Sequence, residues 1–125
     1  MTEMALGVFT LVLFAVHVTA GEKECARPML AADYDATARW TMYVCWHAIS
    51  AHLLLGGGAL LWAGATDSAV VGPVLVAVIS TLHLVYAALF LVLAFVSRIE
   101  RGWLKLPQWM GFLPLGLIGW WAALS

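Results

Sequence analysis

The chain has 125 residues, of which 64% are hydrophobic and only 10% charged, and its formal net charge is −1. Ordinary soluble domains carry roughly 25% charged residues, so the mean hydropathy of +0.96 points to lipid rather than water as the solvent. The near-neutral charge removes the electrostatic case for nucleic acid, and Cys25 and Cys45 form neither a C-x-x-C pair nor a disulfide framework.

Taken in order, residues 4–20 are an apolar run about long enough to span a bilayer, which takes roughly 17–25 residues. Val18-Thr19-Ala20 resembles a signal-peptide cleavage site, but the acidic Met-Thr-Glu start lacks the basic region that such a peptide carries. Residues 21–37 are expected to form a polar cytoplasmic loop holding Glu22, Lys23, Glu24, Arg27, Asp33 and Asp35. Within it, Pro28 suits the first turn of a short interfacial helix. Asp35 or Thr37 is placed to cap a second span over 38–64.

Residues 65–69 read as a polar turn with one charge, Asp67. A third span covers 70–97, with Pro73 in its first turn, where proline does least harm. A basic turn follows, flanked by Trp103 and Trp109 at the height of an interfacial aromatic belt. The fourth span is expected over 106–124, with Pro114 as a kink and Trp120 and Trp121 at the far interface. The fold class is therefore an all-α integral membrane protein, one domain built as an antiparallel four-transmembrane-helix bundle. All six basic residues (Lys23, Arg27, Arg39, Arg98, Arg101 and Lys105) fall on one side. By the positive-inside rule both termini then face away from the cytoplasm, as in a bacterial-type inner membrane.

Every one of the four histidines lies inside an expected span, and ionisable residues at that depth mark sites by default. His52 and His83 sit near the midpoints of neighbouring antiparallel spans, while His17 and His47 lie nearer the cytoplasmic side. Residues 47 and 52 are five apart, about 140° around a helix, so they face different neighbours: His47 is expected to face the first span and His52 the third. Helix two would then be the most buried. His17, His52 and His83 are each followed four residues later by Gly21, Gly56 or Ala87. Such a small residue leaves room for a flat ligand beside an imidazole, and equally lets two helices approach closely.

Three readings follow. Haem b held by His52 and His83 needs only two axial imidazoles and an apolar pocket, with Gly56 giving room and Ser80 and Tyr86 supplying outer hydrogen bonds. A metal or proton site would gather His17, His47, Glu24 and Cys25, although no paired ligand spacing is present. In the third, the histidines only hydrogen-bond between helices, each bond worth about 0.6–2 kcal/mol.

Gly56-Gly57-Gly58 reads as a packing surface, and Arg27 with Glu22 or Glu24 as a solvated ion pair. There is no phosphate loop, H-E-x-x-H or G-x-S-x-G. The expected function is a small membrane subunit that binds a cofactor through its histidines. Other membrane subunits or further copies of the chain are its expected partners besides the bilayer. A scaffold subunit with structural histidines is the alternative. A small enzyme acting on a lipid or quinone, with His47 or His17 as base, comes third.

Overall fold

The computed structural model describes residues 1–66 and 70–125; the turn assigned to Asp67 lies outside them. All regular structure among the described residues is helical. Helix α1 runs unbroken over Thr2–Ala31, as α-helix to Val16, π-helix over His17–Ala26, and α-helix again over Arg27–Ala31. The loop expected over 21–37 is thus mostly helix, and the connection shrinks to residues 32–35. Glu22, Lys23 and Glu24 are good helix formers whatever their charge. Pro28 falls in the first turn of the renewed α-helix, where its missing N–H is tolerated.

Helix α2, Ala36–Ala65, starts at Asp35, whose carboxylate accepts from the amides of Thr37 at 2.8 Å and Ala38 at 3.1 Å. Helix α3 covers Val71–Val96. A one-turn helix, Gly102–Lys105, precedes helix α4, Trp109–Leu124. The reversal after α3 uses left-handed backbone at Arg98 and Arg101. It also presses Gly102 against the Ala94 carbonyl, where no side chain fits.

Helices α1, α2 and α3 are long and apolar enough to cross a membrane. Helix α4 has 16 residues, about 24 Å at a rise of 1.5 Å per residue, against a hydrocarbon core of about 30 Å. The span expected over 106–124 therefore loses its beginning, because residues 106–108 form a turn, and α4 does not reach spanning length.

The four helices form a ring in which α1 touches α2 and α4, and α3 touches α2 and α4. Contacts are densest within the sequential pairs α1/α2 and α3/α4, and sparser along the α2/α3 and α1/α4 seams. Glycines explain the difference, since backbones in lipid approach closely where side chains are absent. A Cβ on Gly7 would stand 2.9 Å from the Gly57 carbonyl, and one on Gly64 would stand 2.9 Å from the Met4 nitrogen. Across the other pair, Gly119 lies against Ser80 and Gly116 against Leu84. Of the glycine run, Gly57 packs on α1 and Gly56 faces Ile79 of α3, while Gly58 meets nothing within 4 Å.

One core cluster joins Leu6, Leu60, Val76, Ile79 and Leu115 from all four helices. The other joins Leu53, Ala87 and Phe112. Because the ring gives each helix two neighbours, α2 is no more buried than α3, contrary to the expectation that it would be the most enclosed.

Candidate functional site

His52 of α2 and His83 of α3 meet across the looser α2/α3 seam. Their ring centres are 5.5 Å apart with the planes at 81°, an edge-to-face contact. His83 is only 1% exposed, whereas His52 is half-buried. Neither Nε2 has a hydrogen-bond partner, although both atoms are buried. The wall of this site is aromatic and aliphatic. Tyr86 stands edge-to-face to His52 at 5.1 Å, and Phe112 of α4 covers His83 at 5.7 Å. Phe112 also touches Tyr86 and Phe90, and the fully buried Leu53 and Ala87 close the interior.

Ser80 and Tyr86 do not supply the expected hydrogen bonds to either Nε2. Ser80 is buried against Gly119, and Tyr86 contributes its ring. Gly56 leaves modest room: a Cβ there would lie 3.8 Å from Cε1 of His52, an ordinary contact. Phe112 is the residue that reading the sequence missed. It lies four and seven positions before Gly116 and Gly119, so it shares the α4 face that those glycines bring against α3.

The second histidine level is built differently. Trp46, not His47, faces α1. Its indole stacks on His17 with ring centres 3.8 Å apart and lies over Gly21, where a Cβ would come within 2.8 Å of it. The flat group beside His17 is therefore the protein's own tryptophan. Nε2 of His17 donates to the Trp46 carbonyl at 3.3 Å, and the same carbonyl accepts from Oγ of Ser50 at 3.2 Å.

One residue further around α2, His47 is exposed and lies edge-to-face to the ring of Tyr43, at 4.5 Å. Glu24 and Cys25 are exposed as well. A π-helix bonds i to i+5, so the seven-residue spacing that would align Glu24 with His17 on an α-helix is lost there. No group of three or more His, Cys, Asp or Glu among the described residues is placed to hold a metal ion. His17, His47, Glu24 and Cys25 thus do not gather into a ligand set.

Arg27 pairs with Glu22 at 3.1 Å, with both side chains well exposed, which gives the ion pair little weight in stability. On the opposite seam, an apolar groove of about 300 Å³ runs between α1 and α4, lined among others by Phe9, Leu13, Met110 and Pro114.

No family model, curated protein or solved structure matches the chain. Two imidazole rings in edge-to-face contact, each with an unpartnered Nε2 in an apolar and aromatic enclosure, can donate to or accept from a polar ligand, or coordinate a metal centre that brings most of its own ligands.

Proposed function

We propose that this chain is a small integral membrane protein that binds a cofactor inside the bilayer through His52 and His83, and that haem b is that cofactor. The observation that carries the reading is the pair of orphaned Nε2 atoms. Buried polar groups are nearly always hydrogen-bonded. Among the described residues Arg39 Nε and Gln108 Oε1 are orphaned too, but only the two histidines belong to rings in contact, which supports a shared ligand. Haem would suit a site where no third protein ligand is at hand among the described residues, because it brings most of its own ligands and would ask only imidazoles of the protein.

His52 and His83 would hold the group, and their rings now touch edge to face with centres 5.5 Å apart. Admitting a macrocycle requires α2 and α3 to part, and theirs is one of the two sparser seams. When bound, haem would supply electron-transfer or gas-binding chemistry, while the chain supplies ligands, orientation and an apolar surround. The six basic residues lie at the end of α1, the start of α2 and the turn after α3, which supports the N-terminus lying on the non-cytoplasmic side of a bacterial-type inner membrane.

The deciding experiment is a visible spectrum of the protein purified in mild detergent from haem-replete cells. A Soret band that sharpens on reduction and disappears in the His52→Ala/His83→Ala double variant is the expected result. A colourless preparation that stays unchanged on adding hemin overturns the reading.

A second reading, an accessory subunit of a larger membrane complex, is favoured by the satisfied His17–Trp46 contact, which needs no ligand. It predicts that further subunits, or further copies of the chain, co-purify. A stable monomer counts against it.

A further inference from the structure

The apolar groove between α1 and α4 lies on the seam away from the histidines. Phe9 and Val12 of α1 stand on one side of it, Met110 and Ile118 of α4 on the other. All four side chains are exposed, so the groove opens away from the bundle and onto lipid. Beneath them Gly111 approaches Leu13 so closely that a Cβ would stand 2.9 Å from that side chain. Every residue lining the groove is apolar. From Met110 to Ile118 it follows α4 for about 12 Å, close to the roughly 15 Å depth of one leaflet's hydrocarbon.

The Met110 end adjoins the turn that joins α3 to α4, and Lys105 precedes Met110 by five residues. Arg98, Glu100, Arg101 and Lys105 are exposed on that turn. None of these four side chains makes an ion pair or hydrogen bond among the described residues. Arg27 and Arg39, by contrast, are engaged by Glu22 and by the Tyr34 carbonyl. Arg98 and Arg101 both stand in left-handed backbone, where glycine fits more readily, so the turn carries its charge at positions poorly suited to any side chain. The indole N–H of Trp109, the first residue of α4, donates to the Trp103 carbonyl at 2.9 Å and fastens the turn to the helix.

An apolar trough nearly one leaflet deep, with unpaired cations at one end, matches a molecule with a hydrocarbon chain and an anionic head. A second copy of the chain matches it poorly. Lying in the same orientation, it would bring its own Arg98, Arg101 and Lys105 to the same end, cation against cation.

We infer that the α1/α4 groove is a binding site for an anionic phospholipid, with one acyl chain laid from Met110 to Ile118 and the phosphate among Arg98, Arg101 and Lys105. Clustered cations at a membrane surface attract such headgroups, and the acyl chain bridges one of the two sparser seams of the ring. The site is separate from His52 and His83 and does not rest on the cofactor reading.

The test places the full chain in phosphatidylcholine vesicles containing a phosphatidylglycerol with a photoactivatable diazirine in its acyl chain. A phosphatidylcholine with the same acyl chain is the control probe. Crosslinks mapped by peptide mass spectrometry are expected on residues 9–13 and 110–118, about ten-fold more from the phosphatidylglycerol, given the cations beside the groove. Arg98→Gln/Arg101→Gln/Lys105→Gln should lower that labelling to the phosphatidylcholine level. Val12→Trp, which fills the trough, should abolish it for both probes. Labelling of Val85, Leu89 and Val92, exposed on α3, is the internal reference and should stay constant in every variant. Equal labelling of the groove by the two probes makes it ordinary lipid-facing surface and overturns the inference. Labelling that the triple variant leaves unchanged overturns it too, as does a groove that neither probe reaches because a second copy crosslinks across it.

Discussion

Replacing His83 by leucine should stabilise the cofactor-free protein. The unpartnered, buried Nε2 of His83 carries a desolvation penalty of about 1–3 kcal/mol. Leucine removes it while keeping an apolar contact with Phe112. Two effects reduce the gain. A swap of similar volume in a packed core usually costs under about 1.5 kcal/mol. In a bilayer or micelle the unfolded helices also find polar partners, which holds measured hydrogen-bond effects to about 0.6 kcal/mol on average. The net expectation is a gain of about 0.5–2 kcal/mol, up to more than a ten-fold shift in the unfolding equilibrium.

The assay is reversible unfolding in mixed micelles followed by far-UV circular dichroism. If His83→Leu instead destabilises the haem-free protein by more than about 1 kcal/mol, the imidazole is doing hydrogen-bond work and the ligand argument fails. With hemin present the sign should reverse, because only wild type gains the binding contribution, about 2.7 kcal/mol at a hundred-fold excess over Kd.

Other expectations follow from the glycines and from the α2 cap. Gly119→Ala drives a Cβ into Ser80 and should cost about 1–3 kcal/mol in the same assay, whereas Gly58→Ala, in open space, should gain up to about 1 kcal/mol. Gly21→Ala meets the Trp46 indole at 2.8 Å. Its loss of stability should be largely recovered in the Gly21→Ala/Trp46→Phe double variant, and additive losses would show that the two side chains do not collide.

The amides of Ala38 and Thr37 hold the Asp35 carboxyl below its ordinary value. A depressed carboxyl contributes stability above its unfolded pKa and loses it as pH falls through the lower folded pKa. Amide hydrogen exchange in the first turn of α2 should therefore quicken, relative to the intrinsic rate, on acidification through that range. Asp35→Asn, which still caps, should flatten the dependence.

The two central helices were legible from sequence to within two residues at each end, expected over 38–64 and 70–97 and found at Ala36–Ala65 and Val71–Val96. Their long apolar runs decide them. The short helix that Pro28 opens was legible and is found at Arg27–Ala31. The stretch from Gly21 to Ala26 was not, because its charges read as loop signals, while a helix at a membrane surface exposes the same charges without cost. The histidine pairing at mid-depth followed from position and angle. The partner of His17 did not, since His47 and Trp46 are adjacent in sequence and only the rotation of α2 decides which one faces α1. That rotation is set by packing: Gly7, Gly57, Gly21 and the Trp46 indole lock into one another, and no single-helix pattern contains such a fit. The anchoring role of Phe112 likewise depends on how closely α4 approaches α3.

The π segment over His17–Ala26 gives α1 a torsional reserve. Arg27 reaches Glu22 across five residues, which are one-turn neighbours only in an i to i+5 winding. A segment wound i to i+5 already holds more residues per turn than an α-helix. Deleting a residue inside it lets the winding tighten toward the α form, while the half that carries Gly7 and Leu11 against α2 can keep its facing relative to the half that carries Lys23 and Arg27. An added residue would have to widen a winding that is already wide. The first helix should thus tolerate length changes unequally, more forgiving of loss than of gain, and the reason lies in its pitch rather than in any side chain.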